Sequence, residues 1–392
     1  MKYSVELNKL FELDRELDRK HLSIFSEEYV ALTKKMSEIY HLLYQSDNFF
    51  IKEISYKYFH NRLHFKMHDF FEEGKIFTEA DVNEFLAEIK SLELQEIKIV
   101  RSLNGATLKK STDIYKLGDF EIYHFPTHKE YLQSLTKMDP TILWHGQKND
   151  YLIGINVFAR EADKAAEIAD DLFYKFEMCY YFIKAMKDEH HEIGILNYSP
   201  SHSTVCFALS KKTGFRSSTS VGSFRLIDID DEYFIDKEDG YDLMWQLISK
   251  KHVTELEDRI IRAIMWGGKS IIENDIADSF VQIAIALEIL LTYKQKDQLI
   301  SPSIVNQLSE TAAIIIADSC DDRIKVERDI KELYTIRSNV VHLGARNIEM
   351  HDYYKFFFYV KDIIVKLLLI DKYKGIKSSS ELHSLIKRIK YS

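Results

Sequence analysis

The sequence predicts an α+β protein: a helical N-terminal region over residues 1–96, a central mixed α/β domain over 97–240 and a C-terminal all-α bundle over 241–392. Three observations carry this. Four prolines and thirteen glycines in 392 residues are few, which favours helix over an all-β architecture. Apolar residues recur at helical spacing before residue 96 and again beyond 240. Between these stretches the period shortens, and alternating apolar runs are broken by turn residues. With 46% hydrophobic and 13% aromatic residues, the chain has a globular composition and length enough for two or three domains.

Taken in order, Leu22 to Gln45 has apolar residues at helical spacing. Thr78-Glu79-Ala80-Asp81 reads as a helix start with an acid three residues beyond the cap. Val82, Phe85, Leu86, Ile89 and Leu92 then form one stripe. His60, His64 and His68 fall on one helical face. Two histidines one turn apart are a metal-chelating spacing, but no carboxylate or cysteine completes a site, and an aromatic face beside Phe59, Phe65 and Phe70 explains them without a metal. No metal or cofactor is expected.

The alternation begins at Ile97–Leu103, with Asn104-Gly105 as a turn. Strands are expected at Phe120–Phe125, Ile142–His145, Tyr151–Ala159, Glu192–Tyr198, Thr204–Leu209 and Phe224–Ile229, and a long helix at Ala162–Met186. Lys211–Gly222 reads as a polar loop, in which Lys211, Lys212 and Arg216 could meet phosphates. Asp188-Glu189-His190-His191-Glu192 reads as a solvated turn. Ser199, Ser201 and Ser203 around His202 lack the Gly-x-Ser-x-Gly elbow of a hydrolase.

Beyond the acidic run Asp228–Asp239 the pattern is helical. Leu256, Ile260, Ile261, Ile264 and Met265 form a stripe, and Trp266-Gly267-Gly268 reads as a closing turn. Ile276–Tyr293 is apolar almost all round, as a central bundle helix should be, and holds one acid, Glu288, which needs a partner or a proton if buried. Pro302 opens the next helix. A helix from Lys325 carries Arg337 and His342, with Gly344 placed to cap it, and Tyr353–Leu369 is expected as the final helix.

The net charge of −9 argues against a generic nucleic-acid coat, yet the charge is uneven. Residues 226–240 are strongly acidic and residues 361–392 basic, so the acidic segment could compete for a basic C-terminal surface. Cys179, Cys206 and Cys320 are scattered without ligand spacing, as in a reduced intracellular chain. The charged N-terminus lacks a signal-peptide core, and Lys361, Asp362 and Lys366 interrupt the apolar run Phe356–Ile370. A cytoplasmic protein without membrane partners is expected.

Arg-x-x-x-x-His is a weak pattern by itself. With 15 histidines in 392 residues, chance supplies about half a match, and Arg346…His351 is a second copy. Arg337–His342 lies on an amphipathic helix with Val326, Ile330, Leu333, Tyr334 and Val340. Arg346 follows the helix-stopping Gly344.

Leu333-Tyr334-x-x-Arg337-Ser338-x-x-x-His342-x-Gly344 resembles the signature of the Apea-like HEPN domain. Arg262-Ala263-Ile264-Met265-Trp266 and Ile285-Ala286-Leu287-Glu288-Ile289-Leu290 agree with it in order and spacing. Arg160–Ala169, Ser102-Leu103-Asn104-Gly105 and Leu117-Gly118-Asp119-Phe120 are similar to the segment that often precedes the domain. The resemblance covers residues 240–376 well and 97–240 more loosely. It implies a helical bundle that dimerises and a metal-independent RNA endonuclease of phage defence, abortive infection or toxin–antitoxin systems, with transfer or messenger RNA as substrate and a phage-derived trigger. Arg337 and His342 take the catalytic positions. Ser338 stands where Asn, Asp or His is common; Arg346-Asn347 matches that detail better, so the second copy stays open. The alternative is a non-catalytic HEPN module that binds RNA or a partner protein.

The chemistry stands beside the resemblance. RNA is cut without metal when its 2′-hydroxyl attacks the adjacent phosphorus. Histidine moves protons near neutral pH, and arginine holds the phosphate with a planar fork of donors. Five residues of helix separate the two side chains by about 140° and about 7.5 Å. A kink or a second copy across a two-fold axis is needed to bring both to one phosphate; the second is expected, with Glu288 orienting Arg337.

Overall fold

The computed structural model describes residues 3–20, 26–110, 112–135, 150–187, 193–196, 203–210, 214–221, 226–293 and 304–391. The protein is 68% helical with a small antiparallel sheet, a mixed α+β fold. It forms two compact units: Met1–Ile99 with Ile155–Asp171, and Val100–Gly154 with Leu172–Ser392. The region 97–240 is thus shared between units. No described helix is long and apolar enough to cross a membrane.

The first unit holds α1 (Tyr3–Lys20), α2 (Glu27–Tyr44), α3 (Asn48–Glu53), α4 (Tyr56–Glu72) and α5 (Glu79–Lys90). Their core is aromatic-rich, with Leu10, Tyr40, Phe50, Phe59 and Phe85 buried together. Thr78 and Asp81 make the expected capping box at the start of α5. His60, His64 and His68 lie on α4, where His60 packs 4.1 Å from the Tyr40 ring. The unit also takes the start of α7 (Ala162–Lys184). There Glu161 accepts hydrogen bonds from the backbone of Asp163 at 2.6 Å, Lys164 at 2.8 Å and Ser55 at 2.9 Å. One carboxylate thus caps a helix and ties it to a residue distant in sequence.

Strands β1 (Gln95–Ser102), β3 (Tyr115–Leu117), β4 (Phe120–His124) and β5 (Tyr151–Ala159) form a sheet in the order β1-β5-β4-β3. The chain leaves β4 directly into α6 (Phe125–Ser134), with proline in its first turn. Gly118 makes the β3–β4 turn at φ +58°, and a Cβ there would lie 2.8 Å from the Trp245 carbonyl carbon. Both facts require glycine. Two residues of β2 (Ala106–Thr107) pair in parallel with β8 (Ile227–Asp228); of the strand expected at Phe224–Ile229, Phe224 and Arg225 lie outside the described residues and Leu226 and Ile229 are not strand. The expected loop Lys211–Gly222 is largely strand: β7 (Gly214–Val221) pairs antiparallel with β6 (Ser203–Ser210), placing Arg216 opposite Ala208. Serines and threonines in β7 satisfy their backbone in a hairpin, which composition alone disguised as loop. Of the strand expected at Glu192–Tyr198, Gly194 makes one bridge, to Asn104. Ile142–His145, Lys211, Lys212, Asp188–Glu192, Ser199, Ser201, His202 and Pro302 lie outside the described residues.

The acidic run is engaged locally. Asp228 pairs with Lys109 at 2.6 Å and Glu232 with Lys110 at 3.6 Å. Asp230 accepts the backbone N–H groups of Lys109 and Lys110 at 3.0 and 2.6 Å. These three carboxylates hold the segment after β2, while Asp239 of the same run acts electrostatically on Lys361.

The bundle comprises α8 (Tyr241–Ser249), α9 (Glu255–Ile272), α10 (Ile276–Leu291), α11 (Ile304–Ile316), α12 (Cys320–Leu343), α13 (Met350–Leu369) and α14 (Ser379–Lys390). Helix α13 is not the last, because α14 returns and ion-pairs to α11 through Lys390 and Glu310 at 2.8 Å. Gly267-Gly268 is not a turn but lies inside α9, where a Cβ on Gly268 would sit 2.6 Å from the Met178 carbonyl carbon of α7. The glycines permit close helix crossing.

Two lysines hold this unit together, Lys187 half-buried and Lys361 buried. Lys187 Nζ donates to the carbonyls of Ser270 and Glu273, both at 2.6 Å, and to Ser279 Oγ at 2.8 Å, closing the C-terminus of α9. Lys361, 6% exposed, donates to the Ile183 carbonyl at 2.9 Å and lies 4.6 Å above the Tyr241 ring. Burial pulls both ammonium groups down to about 8, against Glu273 for Lys187 and Asp239 for Lys361. Below pH about 8 both the folded and unfolded chains hold these protons; between about 8 and the ordinary value of 10.5 only the unfolded chain does. Stability contributed by these groups therefore rises with pH across that window. The change in urea midpoint from pH 8 to pH 10 should be more favourable in wild type than in Lys361→Met, the raised tyrosine phenols opposing it in both. An identical change in that variant would assign it to other groups.

Candidate active site

Helix α12 begins at Ser319, whose side chain accepts from Asp322 N, and ends at Gly344, a left-handed cap with φ 67°. Its apolar face, with Val326, Ile330, Leu333, Tyr334 and Val340 buried, turns inward. Asp329, 4% exposed, fixes its rotation, accepting from the Tyr359 hydroxyl at 2.7 Å and pairing with Lys355 at 3.1 Å. Both partners are on α13, so the angular position of every residue on α12 is set by the bundle.

Arg337 points toward α10. Its Nη2 meets Glu288 Oε1 at 3.0 Å, with the two side chains 23% and 26% exposed. Glu288 is therefore half-buried rather than enclosed, because it lies where the apolar girdle of α10 opens toward α12. The Tyr334 hydroxyl donates to the same Glu288 oxygen, and the guanidinium carbon lies 5.6 Å from the Tyr334 ring centre. Arg337 Nε is buried and has no hydrogen-bond partner among the described residues. Burial, then the bond to Glu288, pushes the Tyr334 phenol up, so it remains a neutral donor at physiological pH.

His342 lies in the last turn of the same helix and is exposed. It has no hydrogen-bond or ion-pair partner among the described residues. Val341, 47% exposed, and Leu343, 78% exposed, flank it. Ser338, next to Arg337, is half-exposed. The helix is α-helical throughout to Leu343, so within one chain Arg337 and His342 keep to different sides, as their five-residue separation dictates.

The second Arg–His copy is divided. Arg346 lies in the connector after Gly344 and pairs with Asp278 at 2.9 Å and Asp275 at 3.2 Å, beside the N-terminus of α10. His351 is exposed in the first turn of α13. Two carboxylates thus engage Arg346, whereas one carboxylate and one phenol hold Arg337.

Chemically, the Glu288–Arg337–Tyr334 cluster presents a fixed cation, and His342 presents an accessible imidazole. The sequence singles out Arg337, Ser338, His342 and Glu288, but gives Tyr334 no role beyond the apolar stripe and the Leu333-Tyr334 pair of the signature. Its helical spacing of three from Arg337 was the available signal. Among the described residues no group of three or more histidine, cysteine, aspartate or glutamate side chains is placed to hold a metal. The segments resembling the domain's usual leader have structural roles here: Arg160 donates to the Leu92 carbonyl, Gly118 makes a tight turn and Asn104 bridges Gly194. No family model, characterised protein or solved structure matches the chain.

Proposed function

We propose that the protein is a metal-independent RNA endonuclease of the HEPN type, acting in cellular defence against phage, with transfer or messenger RNA as substrate. The observation that carries this reading is the pairing of a clamped cation with an accessible imidazole on one helix: Arg337 held by Glu288, His342 exposed near the helix end. Arg337 steadies the phosphate as charge builds on it. His342 takes the 2′-hydroxyl proton or delivers one to the leaving 5′-oxygen. One proton leaves the attacking oxygen, one reaches the departing oxygen, and a 2′,3′-cyclic phosphate remains.

The two side chains leave the helix in different directions, so the working site combines Arg337 and His342 from two copies related by a two-fold axis. The exposed Val341 and Leu343 beside His342 supply apolar surface for that association. A non-catalytic RNA- or protein-binding module is the competing reading, favoured by Ser338 where the family commonly has Asn, Asp or His.

Purified protein incubated with total RNA in EDTA, with and without lysate from phage-infected cells as the source of a trigger, should yield fragments ending in 2′,3′-cyclic phosphate. Fragments ending in 3′-hydroxyl, or cleavage that returns only with added magnesium, would sink this chemistry; intact RNA in both conditions would favour the binding module.

A further inference from the structure

We infer that Tyr334 is a positioning residue for Arg337, its hydroxyl locking the Glu288 carboxylate that in turn aims the guanidinium. This rests on the ribonuclease reading above and adds a third member to its site. Glu288 Oε1 receives two donors from one helix, the Tyr334 hydroxyl and Arg337 Nη2. Tyr334 and Arg337 are three residues apart, so they stack one turn above the other on a single face of α12. The ring also forms a floor beneath the guanidinium, 5.6 Å from centre to Cζ, where its face attracts the cation.

The phenol is needed because neither neighbour is immobilised by burial. Arg337 and Glu288 each keep about a quarter of their side-chain surface exposed, and a long half-exposed arginine retains rotamer freedom that must be lost before it can hold a phosphate in one geometry. Tyr334, by contrast, is 6% exposed and rigid about two torsions. Its hydroxyl fixes the carboxylate from a buried anchor, and the carboxylate fixes the fork. With Nε shielded and one Nη2 hydrogen on Glu288, the remaining terminal N–H donors of Arg337 are those left for an anion.

Tyr334→Phe keeps the ring and removes only the donor. In the full-length protein it should lower the single-turnover cleavage rate about tenfold, the worth of one hydrogen bond to a charged group. Affinity for an RNA with 2′-deoxyribose at the scissile position should stay within about twofold of wild type. The double variant with Glu288→Gln should lose no more than Glu288→Gln alone, since both act through one contact. A readout independent of cleavage is the ¹⁵N NMR signal of Arg337 Nε–Hε, expected to be slowly exchanging in wild type and averaged in Tyr334→Phe. Should Tyr334→Phe lose its fold, Glu288→Gln interrogates the same contact and should release the same signal. An equally protected Arg337 signal in a folded variant overturns the positioning role, whatever the cleavage assay gives. Wild-type protein that leaves RNA intact under every condition overturns the ribonuclease reading while the NMR comparison still decides the role of Tyr334.

Discussion

His342→Ala should cut the rate of RNA cleavage by about 10²- to 10⁴-fold, the usual contribution of a general acid–base group. It should leave folding stability within about 0.5 kcal/mol of wild type, because an exposed side chain without partners has little to lose. The two measurements together separate chemistry from structure. Arg337→Ala should be similarly inactive but for a different reason. It removes transition-state charge stabilisation and also strips Glu288 of its cation. Mixing the two inactive variants distinguishes a site built from two chains from one built within a single chain. Mixed dimers that draw arginine from one protomer and histidine from the other should regain cleavage that neither variant has alone. Failure of the mixture to recover activity, with exchange of protomers verified, would place both groups in one chain.

Gly268→Ala should destabilise the protein by about 3 kcal/mol, at the upper end for overpacking. Helix propensity by itself predicts the opposite sign, since alanine in a helix interior is favoured over glycine by about 1 kcal/mol. The contact decides. A methyl group at this position would overlap the Met178 carbonyl, with Met178 C and Cα only 2.6 and 2.8 Å from the added carbon. Those are backbone atoms of α7 and cannot swing aside as a side-chain tip would, so α7 and α9 must separate. Neighbouring Gly267 meets the flat ring of Phe182, whose Cε2 would lie 2.7 Å from an added Cβ, and a ring can rotate. Gly267→Ala should therefore cost less than Gly268→Ala in urea unfolding; equal costs would mean that helix separation is not the controlling event.

These glycines also show why part of the architecture was hidden in the sequence. A Gly-Gly pair after an apolar stripe is a sound helix-stop signal. Only the partner helix, nearly ninety positions earlier in the chain, reveals that the pair permits close approach instead. Periodicity did find α12, its end at Gly344 and the strand Tyr151–Ala159, because each is written locally. It misjudged Lys211–Gly222, where hairpin pairing rather than side-chain hydrophobicity makes the strand. At the candidate site, Arg337, Glu288 and His342 were legible from residue type and spacing. The Tyr334–Glu288 bond was not, since it depends on the rotation of α12 that Asp329, Tyr359 and Lys355 set. Nor did the sequence reveal that Arg346 is engaged by Asp275 and Asp278, an arrangement produced by the return of the connector to the start of α10.

The bond from Ser55 N to Glu161 spans 106 residues, as does the ion pair between Lys57 and Asp163 at 2.7 Å. Such a unit cannot finish assembling as soon as its helices leave the ribosome. Chain is synthesised at about 5–20 residues per second, so α3 and α4 wait roughly five to twenty seconds for the segment that completes their unit. Closing so long a loop adds an entropic delay of its own. During that interval the α7 face of the helical cluster is uncovered, and a nascent-chain-binding chaperone has its longest opportunity there. A ribosome stalled between codons 100 and 155 would display that half-finished cluster, and limited proteolysis of such stalled chains should cut α3 and α4 far faster than in the released protein.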